Sequence, residues 1–124
     1  MKFPRPRSSP RSSYAVGIEA ECSARRLLES KSYRILAQRY KTKAGEIDLV
    51  ARRGDHLAFV EVKQRKTQDE AAWSIAPRQQ ARIAMAAEVF LGEHAALAEC
   101  SASFDVVLVS PSEGCAHIEQ AFLA

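Results

Sequence analysis

The sequence contains no lysine or arginine after Arg82 and no apolar run near the roughly 20 residues that a membrane-spanning helix requires. The second absence excludes a helical membrane protein, so we expect a soluble chain without membrane contacts. The stretch 2–13 is basic but has no apolar segment, which excludes a secretory signal, and its three prolines disfavour the amphipathic helix of an organelle transit peptide. We therefore predict a cytoplasmic protein.

Cysteine is also scarce. Cys22, Cys100 and Cys115 are odd in number, widely spaced and outside any CxxC or Cys/His pattern, which excludes a zinc motif and favours reduced thiols. The three histidines are scattered without the spacing of metal ligands or of a catalytic pair, so they receive no role. Asp105, inside an apolar strand pattern, is interpreted as a strand-end or hydrogen-bonding residue.

The charge of the chain is unevenly distributed. Residues 1–82 hold all 18 lysines and arginines against 9 acidic residues, whereas residues 83–124 hold 6 acidic residues alone. Such a basic half suits a polyanionic partner such as nucleic acid. The alternative is a solubilising tail, since four of the cations lie in the Pro-, Ser- and Arg-rich residues 1–13. We expect residues 1–13 to be a disordered basic tail and residues 14–124 to form a single domain.

Apolar periodicity predicts an α/β fold with elements in the order αβββαββ and a central mixed sheet flanked by helices. The first helix covers residues 15–31, and the second begins at Pro77, a favourable first-turn residue, and ends near Gly92. The predicted strands cover residues 33–40, 46–52, 57–64, 104–109 and 117–122.

The strands at 46–52 and 57–64 form a predicted β-hairpin that carries the chemistry. Side chains alternate along a strand, so Glu46 and Asp48 share one face, as do Glu61 and Lys63. A turn centred on residues 54 and 55 places Asp48 opposite Glu61 and Glu46 opposite Lys63, although a bulge would shift this register by one residue.

Opposed carboxylates destabilise a sheet unless a cation lies between them. Hard oxygen ligands suit Mg²⁺ or Mn²⁺, which activate water and neutralise phosphodiester charge, with Lys63 beside the phosphate. From the spacing alone, an exposed hairpin explains the pattern equally well. In that alternative, Asp48, Glu61 and Lys63 are solvated, and Glu46 forms a weak cross-strand ion pair with Lys63.

Five segments resemble the YraN family of small bacterial proteins: residues 17–24, 33–37, 45–50, 59–65 and 104–107. The pattern GEIDLV followed by FVEVKxR is the specific part of the resemblance. That family is similar in turn to the PD-(D/E)xK nucleases, especially archaeal Holliday-junction resolvases, which implies a restriction-endonuclease-like fold. Ile47 stands where that motif name has proline, and Gln79 stands where the family usually has a basic residue.

The resemblance implies that Glu21, Asp48, Glu61 and Lys63 are catalytic and that the three carboxylates bind the metal. Glu21 borders the apolar stripe of the first helix. Four further cations are candidate phosphate contacts: Lys41, Lys43, Arg65 and Lys66.

The leading hypothesis is a Mg²⁺- or Mn²⁺-dependent endonuclease acting on DNA, including branched or single-stranded DNA in recombination or repair. The alternative is a non-catalytic adaptor that binds nucleic acid or protein. An RNA-directed enzyme is disfavoured because no RNP-like aromatic pattern is present. Resolvases that the chain resembles are dimers, so a homodimer is a further expectation.

Overall fold

A computed structural model describes residues 13–123 of the chain. The long elements follow the predicted order: α1 (Ser13–Ser30), β1 (Arg34–Lys41), β2 (Glu46–Arg53), β3 (His56–Gln64), α2 (Glu70–Trp73), α3 (Pro77–Glu93), β4 (Ser101–Ser110) and β5 (Gly114–Phe122). The sequence did not indicate the four-residue α2 or the 3-10 turn Ala95–Leu97. Of the predicted tail, residues 1–12 lie outside the described residues, and Ser13 begins α1.

The five strands form one mixed sheet in the order β1-β2-β3-β4-β5. Strands β3 and β4 are parallel, and the other neighbours are antiparallel. The parallel pair requires a crossover connection, which α2 and α3 supply. This arrangement confirms the predicted α/β fold and is consistent with a restriction-endonuclease-like fold. No helix among residues 13–123 is both long enough and apolar enough to cross a membrane.

Two buried clusters occupy opposite faces of the sheet. Ala24 and Leu28 of α1 pack with Ala58 and Val60 of β3. Ile83, Ala86, Ala87 and Phe90 of α3 pack with Leu57 and Phe59 of the same strand. Since neighbouring residues of β3 point to opposite faces, α1 and α3 lie on opposite sides of the sheet.

The predicted register of the β2–β3 hairpin is confirmed where the strands are paired. The ladder runs from Arg53 opposite His56 to Leu49 opposite Val60. Gly54 adopts φ 60°, the left-handed conformation that glycine tolerates best in a two-residue hairpin turn. The ladder ends one pair before Asp48 and Glu61, so the two carboxylates lie where the strands begin to separate.

Candidate metal and phosphate site

A cavity of about 450 Å³ opens between the end of the β2–β3 hairpin and the first turns of α3. Three carboxylates reach it from the sheet, those of Glu46, Asp48 and Glu61. From the helix side it is lined by Ala76, Arg78, Gln79, Arg82 and Ile83. The sheet and α3 therefore bring acidic and basic side chains to one cavity.

Asp48 and Glu61 form a hydrogen-bonded carboxyl pair. The backbone N–H of Val62 donates to Oδ2 of Asp48 at 2.8 Å, so the Asp48 side chain takes over a backbone donor where the ladder has ended. Glu61 is 8% exposed. The exposed, solvated hairpin that the sequence left open is therefore wrong for these residues.

Burial, followed by the hydrogen bond and the negative charge of Glu61, raises the pKa of Asp48 from 3.8 to about 8. The N–H of Val62 and the charge of Lys63 oppose this rise but are outweighed. Without a bound cation, the pair accordingly holds a proton at neutral pH. Two adjacent carboxyl groups that share a proton, one buried and one half-buried, are a site at which a divalent cation can replace it.

Lys63 and Gln79 complete the polar contacts of Glu61. The Lys63 ammonium Nζ lies 3.5 Å from Oε2 of Glu61 and donates to Oε1 of Gln79 at 3.4 Å. The Gln79 amide also donates a short hydrogen bond to Oε2 of Glu61. The carboxamide bridges acid and ammonium because it can donate and accept simultaneously, which a basic side chain cannot do. The Glu46–Lys63 ion pair of the exposed-hairpin alternative is not formed among the described residues, where Lys63 pairs with Glu61.

Glu21 is held elsewhere. Arg39 Nε of β1 donates to Oε2 of Glu21 at 2.9 Å, and the glutamate side chain is 15% exposed. The apolar stripe of α1 packs on the sheet face opposite α3, whereas Asp48 and Glu61 line the cavity on the α3 side. Among residues 13–123, no group of three or more His, Cys, Asp or Glu side chains is close enough to hold a metal ion. Participation of Glu21 stays a prediction.

The four predicted phosphate contacts lie outside the lining of the acidic cavity. Lys41 and Lys43 line a neighbouring cavity with Val89 of α3. Arg65 and Lys66 line a shallow site beyond the end of β3. Sequence reasoning missed the two cations that do line the acidic cavity, Arg78 and Arg82. The sequence feature that could have indicated them is their spacing of four residues at the start of the helix that begins at Pro77. This spacing places both side chains on one side of the helix.

A second buried polar group lies on the α1 side of the sheet. His117 Nε2 of β5 is 2.7 Å from Oδ2 of Asp105, and the Gln120 N–H donates to Oδ1 at 3.1 Å. Burial raises the pKa of Asp105, but hydrogen bonds from His117, Ser103 and Gln120 outweigh it and hold that pKa below its ordinary value. The hydrogen-bonding interpretation of Asp105 agrees with these contacts. No sequence pattern indicated His117 as its partner.

The fold and the site define an α/β domain with a hydrogen-bonded carboxyl pair and a lysine at the end of a hairpin, beneath the start of a helix. The chain belongs to the uncharacterised protein family UPF0102, whose model matches residues 20–109, and the resemblance to the YraN family is thereby confirmed.

Relatives from several bacteria are similar over most of the chain. A UPF0102 protein of Rhodopseudomonas palustris is 48% identical over 88% of this chain and 84% of its own length. A UPF0102 protein of Azorhizobium caulinodans is 46% identical over 98% of this chain and 97% of its own length. A UPF0102 protein of Parvibaculum lavamentivorans is 48% identical over 88% of this chain and 82% of its own length. The family match at residues 20–109 spans β1, β2, β3 and nearly all of β4.

Proposed function

We propose that this chain is a Mg²⁺- or Mn²⁺-dependent endonuclease that hydrolyses phosphodiester bonds of DNA. The observation that carries the proposal is the pair of half-buried Asp48 and buried Glu61, which shares a hydrogen bond inside a cavity and has Lys63 beside it. A hairpin selected for stability alone has no use for two carboxyl groups that hinder each other's ionisation.

The donor set fits a magnesium-type ion. Mg²⁺ is usually bound by one or two carboxylates together with substrate phosphates and water, so Asp48 and Glu61 are sufficient protein ligands. Both supply hard oxygen donors, and replacement of their shared proton by a cation removes the conflict between them. A role of Glu21 as a third ligand stays a prediction, because Arg39 holds its carboxylate away from the pair, on the α1 side of the sheet. When bound, the ion neutralises charge on the phosphodiester and acidifies the attacking water.

The residues around the pair have distinct roles in the proposed reaction. Asp48 and Glu61 hold the cation, and Lys63 donates hydrogen bonds to a phosphate oxygen or to the attacking water, because an ammonium group has donors only. Gln79 holds Lys63 and Glu61 together. Lys41, Lys43, Arg65 and Lys66 are proposed contacts to the strand on either side of the site. Cytoplasmic location and a homodimer stay predictions.

A non-catalytic binding module is the second candidate. It is favoured by the position of Glu21, whose carboxylate is engaged by Arg39 instead of joining the pair. Both candidates predict nucleic-acid binding. Only the endonuclease requires metal binding and strand cleavage to be lost together when the pair is altered.

The test compares wild type with Asp48→Asn and Lys63→Ala on labelled linear, single-stranded and four-way-junction DNA, and on RNA, with Mg²⁺ or Mn²⁺. The matched control is Asp55→Asn, which makes the same substitution at an exposed turn residue of the same hairpin. We expect cleavage by wild type and control and none by Asp48→Asn. No cleavage of any substrate, together with no metal binding by titration calorimetry, would leave the binding module as the remaining candidate.

A further inference from the structure

The acidic cavity has two walls of opposite charge. Glu46, Asp48 and Glu61 form the sheet wall, and Arg78 and Arg82 of α3 form the helix wall. Among the described residues, neither arginine has a nitrogen within 4.0 Å of an oxygen of these carboxylates. The ion pair formed there is between Lys63 and Glu61. The cavity, of about 450 Å³, therefore lies between opposite charges that are not paired with each other.

Three other arginines among the described residues do reach a carboxylate. Arg25 pairs with Glu29, Arg39 with Glu21, and Arg52 with the turn residue Asp55. Arginine side chains are long enough to reach a carboxylate across a few ångströms, and a surface pair costs little to form. Separate walls indicate that the space between them is available to a ligand that contacts both.

The position of the helix wall is fixed by the turn between β1 and β2. Gly45 is buried against α3, and a Cβ at this position would lie 2.8 Å from the carbonyl oxygen of Arg82. In return, Arg82 Nε donates to the carbonyl oxygen of Ala44 at 3.3 Å. The backbone of Arg82 is thus held against the turn that leads directly into Glu46 and Asp48, so the spacing between the two walls is built into the fold.

We propose that Arg78 and Arg82 form a phosphate clamp that binds the sugar-phosphate backbone of a nucleic-acid strand against the carboxyl pair. The clamp rests on the proposed function because its ligand is the same strand. A phosphodiester is anionic on the oxygens that face the arginines, so the two guanidinium groups attract it with or without a cation at the carboxyl pair. Arginine suits this role because its planar donors match two phosphate oxygens at once.

The clamp predicts how nucleic-acid affinity depends on salt, strand length and base sequence. Phosphate contacts carry no sequence information, so affinity depends on salt and strand length and not on base sequence. Each arginine that contacts a phosphate contributes about one unit to the slope of log affinity against log salt. A surface cation that only adds to the general field leaves this slope nearly unchanged.

The test measures binding of fluorescein-labelled DNA and RNA oligonucleotides, single- and double-stranded, by anisotropy in EDTA at several salt concentrations. The proteins are wild type, Arg78→Ala, Arg82→Ala and the double variant. The matched control is Arg26→Ala, which removes the same charge from an exposed position on α1, across the sheet. Thermal melting checks folding, and Arg78→Ala removes no contact that holds the β1–β2 turn.

We expect about tenfold weaker binding for each clamp variant and a salt slope lower by about one unit per arginine, with less than about a twofold change in the control. The clamp is overturned if wild type binds no nucleic acid, if the double variant binds like wild type, or if Arg26→Ala weakens binding equally. If the wild type cleaves DNA in Mg²⁺ but the double variant binds DNA as tightly as the wild type, the clamp is contradicted and the nuclease proposal stands. If binding depends on the two arginines but no substrate is cleaved, the clamp is supported and the nuclease proposal is contradicted.

Discussion

The carboxyl groups of Asp48 and Glu61 are hydrogen-bonded to each other one residue beyond the last paired position of the β2–β3 ladder. Strand pairing brings their backbones together, and the end of the ladder leaves their side chains facing the cavity beneath α3. The same relationship raises the cost of ionising Asp48 and creates two oxygen ligands for a cation. Stability and metal binding are therefore opposed at this pair.

Asp48→Asn should stabilise the protein in EDTA at pH 8 while abolishing divalent-metal binding. The amide oxygen keeps the hydrogen bond from Val62, and the amide group donates to Glu61 without needing a proton from solution. We expect a gain of at least about 1 kcal/mol in the free energy of unfolding at pH 8, seen as a higher melting temperature. Asp55→Asn, at an exposed position, should change the melting temperature little; an Asp48→Asn protein that melts below wild type would contradict the expectation.

The pH dependence of stability should carry the signature of Asp48. Its pKa is raised from 3.8 to about 8, so between these values the folded state holds a proton that the unfolded state releases. Stability contributed by this proton is complete below about pH 3.8 and is lost as pH rises to about 8. The loss has a slope of up to about 1.4 kcal/mol per pH unit relative to Asp48→Asn.

Urea unfolding of both proteins in EDTA from pH 5 to pH 9 measures this difference. Asp105 does not interfere, because its lowered pKa contributes stability that is lost only as pH falls below about 3.8. Saturating Mg²⁺ or Mn²⁺ should remove the wild-type loss at high pH, since the cation replaces the proton and stabilises the folded state. Parallel curves for wild type and Asp48→Asn would show that the pair does not retain a proton.

Gln79→Ala should weaken the site without unfolding the protein. The amide bridges Glu61 and Lys63, so its loss leaves the ammonium less constrained and Glu61 with one donor fewer. We expect about tenfold lower Mn²⁺ affinity and slower cleavage. The control is Gln80→Ala, because the Gln80 amide donates to the carbonyl of Ile75 away from the cavity. That variant should lower the melting temperature yet leave Mn²⁺ affinity unchanged.

Local signals were sufficient to predict the hairpin and the start of α3. The two-residue turn at Gly54 sets the register, and Pro77 begins the helix, so Asp48 and Glu61 could be placed side by side without a structure. The point at which the ladder ends could not be predicted. It depends on how β2 and β3 diverge beneath α3.

Contacts between distant segments could not be predicted from the periodicity of apolar residues. His117 and Asp105 lie on adjacent strands, but the β4–β5 register shifts between Phe104 and Val106, so spacing in sequence does not show that they meet. The choice of Arg78 and Arg82 over Lys41 or Lys43 as cavity cations depends on how α3 docks against β2. Likewise, the apolar stripe of α1 fits either face of a sheet whose two sides are both apolar.

Gly45→Ala should destabilise the protein and displace the helix wall of the cavity. The added methyl group would lie 2.8 Å from the Arg82 carbonyl oxygen, a backbone atom that cannot rotate away, so the β1–β2 turn and α3 must move apart. We expect a loss of about 1–3 kcal/mol in the free energy of unfolding. DNA binding should also weaken, since Arg82 moves relative to the carboxyl pair.

The matched control is Gly92→Ala in the last turn of α3, where nothing lies within 4 Å of the added methyl group. Because alanine restricts the unfolded chain and favours a helix, this variant should gain up to about 1 kcal/mol and bind DNA like wild type. Urea unfolding and anisotropy measure both quantities on the same samples. If Gly45→Ala were as stable as Gly92→Ala, the turn would not fix Arg82; if it were destabilised yet bound DNA like wild type in its folded state, the spacing of the two walls would not govern binding.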